Sequence, residues 1–301
     1  MTASEFTPIR PRAANVLRTG EALALHGRAR VRAQLAAQRW QRPVRAVVVT
    51  HNGPLTSAQR HLTALRGCAP GGALAGLTAL AIDGFTGFEA QEVYVVLPSG
   101  ARRPPEPWVI PHWSTMLDQR DVHPDRAPRR TRPARSLVDA ASWQRHPRRA
   151  RAIVLAGVQQ RLTSTRHLRD ALSRRGPCRH RRLITESILD AAGGIQSLPE
   201  RDVEQIRRRF HLPTPSRQSP VRRPDGRYFL DLEWQQYDVG AEIHGIPHLQ
   251  VVQWESDLER ANEIVIEGPR LLIFSSYATR HESDRVGHQL ARLLRRGGWT
   301  G

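Results

Sequence analysis

Two short stretches decide the fold of the C-terminal part: Tyr228-Phe229-Leu230-Asp231-Leu232-Glu233-Trp234 and Val239-Gly240-Ala241-Glu242-Ile243-His244. In both, apolar residues alternate with polar or small ones, which is the two-residue period of a β-strand with one buried face. The connection between them is short, so they predict a β-hairpin. Its alternation places Asp231 beside Glu242 and His244.

Carboxylates at the end of a sheet are the oxygen ligands that a hard divalent cation, Mg²⁺ or Mn²⁺, prefers. Such a cation activates water and stabilises the charge on a phosphoryl group. Glu200 lies at the edge of the apolar face of a predicted helix, Leu198–His211, and is expected to face the same cluster. The sequence predicts a metal site of Asp231, Glu242 and Glu200. The alternative is an ordinary solvent-facing side of a half-buried hairpin, where acidic residues are expected anyway.

Helices and strands alternate around this hairpin. Apolar spacing predicts a helix over Val251–Glu267, a buried strand over Leu271–Phe274 and a closing helix over His281–Arg296. The resulting order of elements predicts a sheet that contains the hairpin and is flanked by helices.

The N-terminal part has a different pattern. Short helices are predicted within residues 16–40, followed by a β-branched strand, Val44–Thr50. This is the order of a winged helix-turn-helix. The second helix is predicted over Val31–Trp40, and the arginines around it are expected to contact DNA phosphates or base edges. They are Arg30, Arg32 and Arg39.

The middle of the chain predicts a mixed α/β region, and Ala192-Gly193-Gly194 is a predicted domain boundary. The sequence therefore predicts three domains, at residues 1–55, 56–195 and 196–301. Helices are predicted over Ser57–Gly67, Ala73–Ile82, Pro133–Trp143, Arg148–Gln160, Ser164–Arg174 and His180–Ala191, strands over Val93–Leu97 and Trp108–Pro111, and a loop over Asp121–Arg135.

Positive charge is concentrated in the first part of the chain. Residues 1–195 contain 31 arginines and 13 acidic residues, whereas residues 196–301 contain 15 of each. Such asymmetry indicates contact with nucleic acid or another polyanion. All basic residues are arginine, which excludes a Schiff-base or phosphate-loop lysine. Codon bias in a GC-rich genome is the alternative source of the arginines.

Two cysteines far apart, Cys68 and Cys178, exclude a disulfide framework and the spacing of a zinc site. The N-terminus carries no apolar signal core, and no apolar run has the length of a membrane helix. The sequence therefore predicts a protein of the reducing cytoplasm.

Further motifs accompany the two hairpin strands: Ser197-Leu198-Pro199-Glu200, Leu212-Pro213-Thr214-Pro215 with Gln218, Gly245 and His248, Asp257 with Arg260, and Leu271–Phe274. On these motifs, residues 196–301 resemble the very-short-patch-repair-endonuclease-like domain of unknown function, a branch of the restriction-endonuclease-like superfamily. The resemblance implies an α/β domain with a central mixed sheet, metal-site acids at Glu200, Asp231 and Glu242, accessory residues His248 and Gln218, and supporting residues Asp257 and Arg260.

One position departs from that family pattern. Relatives place an aspartate two residues after the second-strand glutamate, and the wider superfamily often places a lysine there, whereas this chain has His244. Histidine serves as a metal ligand or a general base, so it also belongs to the candidate catalytic residues. The exchange nevertheless removes a carboxylate.

Three motifs stand out in the first part of the chain: Ala73–Leu80, Arg132–Ala141 and Gly157–Leu162. On these motifs, residues 1–195 are similar to the AbiEi-type antitoxin family, fused to this nuclease-like domain. The resemblance implies a winged helix followed by a mixed α/β region.

Two functions are compatible with the sequence. The first is a nuclease-like, metal-dependent DNA endonuclease that hydrolyses phosphodiesters. The second is a DNA-binding transcriptional regulator, or an antitoxin of a type IV toxin–antitoxin system with a nucleotidyltransferase-like toxin as partner, whose nuclease-like domain is inactive. A protein adaptor without DNA contact is a third class, and the net charge of +18 argues against it.

Overall fold

The computed structural model describes residues 15–192, 199–223, 226–244 and 270–301, with side chains described except at residues 199–201, 217–223, 226–230 and 244. The chain divides into two compact units, one ending at Ile184 and the other beginning at Thr185. Both mix helices with small sheets, so the predicted α+β class is confirmed at that level. No helix in the described part is long and apolar enough to cross a membrane.

The first unit begins with a small sheet in the order β1-β3-β2, with all pairs antiparallel. Two short helices precede a strand segment, as predicted, but the predicted strand is two strands with an exposed turn at Arg45 and Ala46. The second helix ends four residues earlier than predicted, where Gln38 takes a positive φ of 54° just beyond it. The elements are β1 (Val16–Arg18), α1 (Thr19–His26), α2 (Arg28–Ala36), β2 (Gln41–Val44) and β3 (Val47–Val49).

A second sheet follows, in the order β4-β5-β6, with β5 and β6 parallel. The predicted helix over Ala73–Ile82 is wrong at its start, because Ala73 and Leu74 pair with β5 instead. Gly76 begins the helix at φ +54°, and a Cβ on it would lie 2.5 Å from Trp143, so only glycine fits there. The elements are α3 (Ser57–Gly67), β4 (Ala73–Leu74), α4 (Gly76–Ile82), β5 (Val93–Pro98) and β6 (Val109–Ser114).

The four helices predicted next are confirmed to within two residues at each end. Proline at the first position begins two of them, where its fixed φ fits and its missing N–H costs nothing. Their apolar faces supply much of the core of the first unit, including Leu137, Ile153 and Leu168. The helices are α5 (Pro133–Ser142), α6 (Pro147–Gln159), α7 (Thr165–Arg175) and α8 (Arg181–Ala191).

The second unit contains a mixed sheet in the order β10-β9-β8-β7. The predicted hairpin is confirmed as β8–β9, and β9 pairs in parallel with β10. β7 was not predicted. The closing helix is divided at Glu282, and the predicted helix Val251–Glu267 lies outside the described residues. The elements are α9 (Pro199–Arg209), β7 (Ser216–Arg223), β8 (Gly226–Trp234), β9 (Val239–His244), β10 (Leu271–Ser275), α10 (Ser276–His281) and α11 (Ser283–Arg296).

Candidate functional site

The two hairpin carboxylates lie next to each other on one face of the second-unit sheet. The register pairs Leu232 of β8 with Ala241 of β9, and both residues are buried in the core. Asp231 precedes Leu232 and Glu242 follows Ala241, so in this antiparallel pair the two acidic residues lie side by side. Because side chains alternate between faces, both lie on the face opposite that core. Asp231 is exposed and Glu242 is partly buried.

A hydrogen bond fixes the Asp231 carboxylate between the strands. The backbone N–H of Ile243, the residue after Glu242, donates to Asp231 Oδ2 over 2.7 Å. The strand pairing of β8 with β9 extends to Leu232 and Ala241, the residues next to Asp231 and Glu242. The carboxylate thus replaces a backbone acceptor at the point where the ladder ends, and it is held within one residue of Glu242.

The backbone of three other predicted site residues is also described, two on strands and one on a helix. Gln218 lies on β7 between residues paired with Leu232 and Leu230, which puts it opposite Asp231. His244 is paired with Ser275 at the end of β9, two residues beyond Glu242. Glu200 lies in the first turn of α9. The remaining predicted residues lie outside the described part of the chain: His248, Asp257 and Arg260.

The donor set of this site partly fits a hard divalent cation. Two carboxylates from neighbouring strands are the right chemistry for Mg²⁺ or Mn²⁺. Within the described residues, however, no group of three or more His, Cys, Asp or Glu side chains is arranged to hold a metal. Asp231 and Glu242 are therefore the described pair that would hold the cation.

A cluster that the sequence analysis missed joins three segments of the second unit: the part of α8 from Thr185 onward, α9 and α10. The Nε of Arg280 donates to Asp202 Oδ2 over 3.3 Å, and His281 Nε2 lies 2.8 Å from Glu186 Oε2. Asp202 is two residues from Glu200 on α9. The cluster therefore holds the N-terminal part of α9 beside α10. His281 and Glu186 are 95 residues apart in the chain, so no sequence pattern predicts their contact.

The three predicted DNA-contacting arginines do not share one face. Arg30 and Arg32 are both exposed on α2, but residues two apart on a helix point in different directions. Arg39 is exposed beyond the end of α2 at Ala36. Of these three arginines, Arg32 lines a groove on the surface of α2.

The groove has an apolar floor and a basic rim, and its volume is about 520 Å³. Residues Arg28, Val31, Arg32 and Leu35 have the i, i+3, i+4, i+7 spacing of one face of α2, which sequence reasoning alone can find. The lining residues, hereafter the α2 groove, are Thr19, Leu23, Arg28, Val31, Arg32, Leu35, Trp40 and Arg42.

Another set of arginines, one buried and two partly buried, pairs with buried aspartates. Arg135 is 1% exposed and donates to Asp121 Oδ2 and Asp139 Oδ2, each over 2.8 Å. Arg174 donates to Asp121 and Arg175 to Asp139, each at 2.6 Å. Part of the positive charge counted in the sequence is thus neutralised inside the first unit.

Comparison of the sequence with known protein families finds no family that matches, and comparison with curated proteins finds no similar one.

Proposed function

We propose that this chain is a nuclease-like DNA-binding protein: a winged-helix-like N-terminal unit binds DNA, and a restriction-endonuclease-like C-terminal unit hydrolyses phosphodiesters with a divalent metal. The distribution of charge carries the proposal. The unit ending at Ile184 contains 31 arginines and 11 acidic residues, whereas the other contains 15 arginines and 17 acidic residues. A basic unit attracts the phosphate backbone, and the neutral-to-acidic one tolerates clustered carboxylates.

The geometry of Asp231 and Glu242 supports the hydrolytic part. Two adjacent carboxylates at the end of a strand ladder are suited to a metal ion that lowers the pKa of water and stabilises phosphoryl charge. Asp231 is exposed, so a large substrate reaches it without rearrangement of the sheet.

The test is cleavage of supercoiled and nicked DNA by the full chain with Mg²⁺ or Mn²⁺. Asp231→Asn keeps an oxygen that accepts the Ile243 N–H, and Glu242→Gln keeps the side-chain shape. Each is expected to slow cleavage by roughly a hundredfold or more, because a metal ligand is lost. Glu233→Gln is the matched control, since Glu233 is a carboxylate on the same strand that contacts Gln235. Equal loss in all three variants contradicts the assignment.

His244 favours a second candidate, a DNA-binding regulator or antitoxin with an inactive nuclease-like unit. The position carries histidine where the resembling family has a carboxylate, so one metal ligand fewer is available. This candidate predicts DNA binding without cleavage by the wild-type chain in either metal. It also predicts that co-expression relieves growth arrest by a nucleotidyltransferase-like toxin.

A further inference from the structure

The α2 groove combines two kinds of surface. Its floor is apolar: Val31 is buried in the core beneath, and Leu23, Leu35 and Trp40 pack against that core while partly exposed. Its rim carries the guanidinium groups of Arg28, Arg32 and Arg42, all of them exposed residues. The groove therefore offers an apolar contact surface beside three cations.

We propose that the α2 groove binds an unpaired base of single-stranded nucleic acid, with the base on Trp40 and the adjoining phosphates on Arg28, Arg32 and Arg42. The proposal rests on the proposed DNA-binding function and names the form of nucleic acid that this surface takes.

The electrostatics of the surrounding segment favour an anionic ligand. Residues 15–50 contain seven arginines and a single acidic residue, Glu21. Glu21 is already ion-paired with Arg66. Within the described residues, Arg28, Arg32 and Arg42 have no ion-pair partner. Three unpaired guanidinium groups around one groove are suited to bidentate contact with successive phosphates.

Trp40 supplies the surface for stacking. It lies between α2 and β2, is half-buried, and the ring of His26 packs edge-on against it with centroids 5.0 Å apart. A ring supported on one side and open to a groove is the arrangement on which single-stranded nucleic acids stack their bases. Such stacking tolerates any base, since every base has a π-face.

The shape of the groove selects unpaired bases. A duplex buries its base faces in the stack, so it meets proteins through convex helices that enter its major groove. The α2 groove is concave, and its volume of about 520 Å³ lies in the range of roughly 300–1,000 Å³ that small ligands occupy. A nucleoside with its base turned out of a strand matches that size.

The experiment measures anisotropy of a fluorescein-labelled oligothymidylate and of a duplex of equal length, with the full chain and without divalent metal. The wild type is expected to prefer the single strand. Trp40→Leu is expected to weaken single-strand binding about fivefold or more, because a stacking contact is lost, and to change duplex binding less than about twofold. Trp40→Phe retains an aromatic face and is expected to restore most of the affinity.

Rim variants complete the test without disturbing the core. Arg28→Ala and Arg32→Ala are each expected to weaken single-strand binding, whereas Arg103→Ala, at an exposed arginine outside the groove, is the matched control. Thermal unfolding verifies that each variant is folded. If the Trp40 variants bind the single strand like the wild type, or if the duplex is preferred, the inference is wrong and DNA binding still stands. If neither DNA binds, the proposed function itself fails.

Discussion

Two sets of arginines in the first unit show how one residue type serves two purposes. The outer arginines, Arg28, Arg32 and Arg42, are exposed and have no ion-pair partner in the described chain. The inner arginines, Arg135, Arg174 and Arg175, share two buried aspartates. Net charge counts both sets equally, yet only the outer set presents charge to a ligand. A basic composition therefore overstates the surface available for phosphate.

The inner set has a structural reason. A guanidinium taken out of water is tolerated only with paired charges and satisfied donors. Arg135 meets this condition through two carboxylates, the carbonyl oxygen of Met116 at 2.8 Å and the hydroxyl of Ser114 at 3.3 Å. These contacts join α5 to the strand β6 and to the segment after it.

The largest expected effect is on the inner set. Asp121→Asn leaves Arg135 and Arg174 without their shared charge, and we expect it to lower the free energy of unfolding by about 3–5 kcal/mol, the usual penalty for breaking a buried pair. Urea denaturation of the full chain measures it. Asp118→Asn is the control, because Asp118 pairs with the exposed Arg120. A loss no larger for Asp121→Asn than for the control contradicts the inner role.

The next effect is on the outer set. Replacing Arg28, Arg32 and Arg42 together by alanine is expected to weaken binding to a single strand by roughly a hundredfold at low salt. The log–log salt slope is expected to flatten by about 2, since each phosphate contact contributes about 0.7. Anisotropy across a salt series measures both. The control replaces Arg30, Arg39 and Arg45 together by alanine, which removes the same charge outside the groove. If the salt slope flattens equally in the control, the groove does not differ from the rest of the surface in phosphate binding.

Local pattern predicted most of the helices. α3 begins at a capping box, in which the Thr56 hydroxyl accepts from the Gln59 backbone N–H and the Gln59 side-chain oxygen accepts from the Thr56 backbone N–H. Such signals are local in the chain, so they survive without tertiary information. β7 was missed because Ser216–Arg223 lacks apolar alternation and includes Pro220, and its pairing with β8 alone makes it a strand.

The same distinction between local signals and long-range contacts applies to the site residues. Strand alternation was enough to put Asp231 and Glu242 on one face, and helical spacing is enough to find the α2 groove. The contacts of the inner set could not be predicted from the sequence, apart from the i, i+4 pair Arg135–Asp139. Asp121 and Arg174 are 53 residues apart, and their contact exists only after α7 packs beside α5.

The smallest expected effect concerns His112, a ring affected by the charge of the inner arginine Arg175. The ring of His112 stacks on Trp143 with centroids 3.5 Å apart, and its Nε2 is buried with no hydrogen-bond partner among the described residues. Burial, and then the charge of Arg175, lowers the pKa of His112 to about 4. Both causes favour the neutral ring in the folded chain.

The sign of the pH dependence follows from that lowered pKa. Below about pH 6.5 the unfolded chain binds a proton at His112, whereas the folded chain binds it only near pH 4. Stability is therefore complete above pH 6.5 and falls as the pH decreases to 4. We expect a loss of about 2 kcal/mol, less than the full shift implies because the ring keeps some contact with water.

His112→Phe keeps the stacked ring and removes the titrating group, so the pH dependence of unfolding between 6.5 and 4 is expected to decrease by that amount. Urea denaturation at a series of pH values measures it, with the same replacement at the exposed His167 as control. An unchanged pH profile in His112→Phe means that the pKa of His112 is not lowered in the folded chain, which contradicts this prediction.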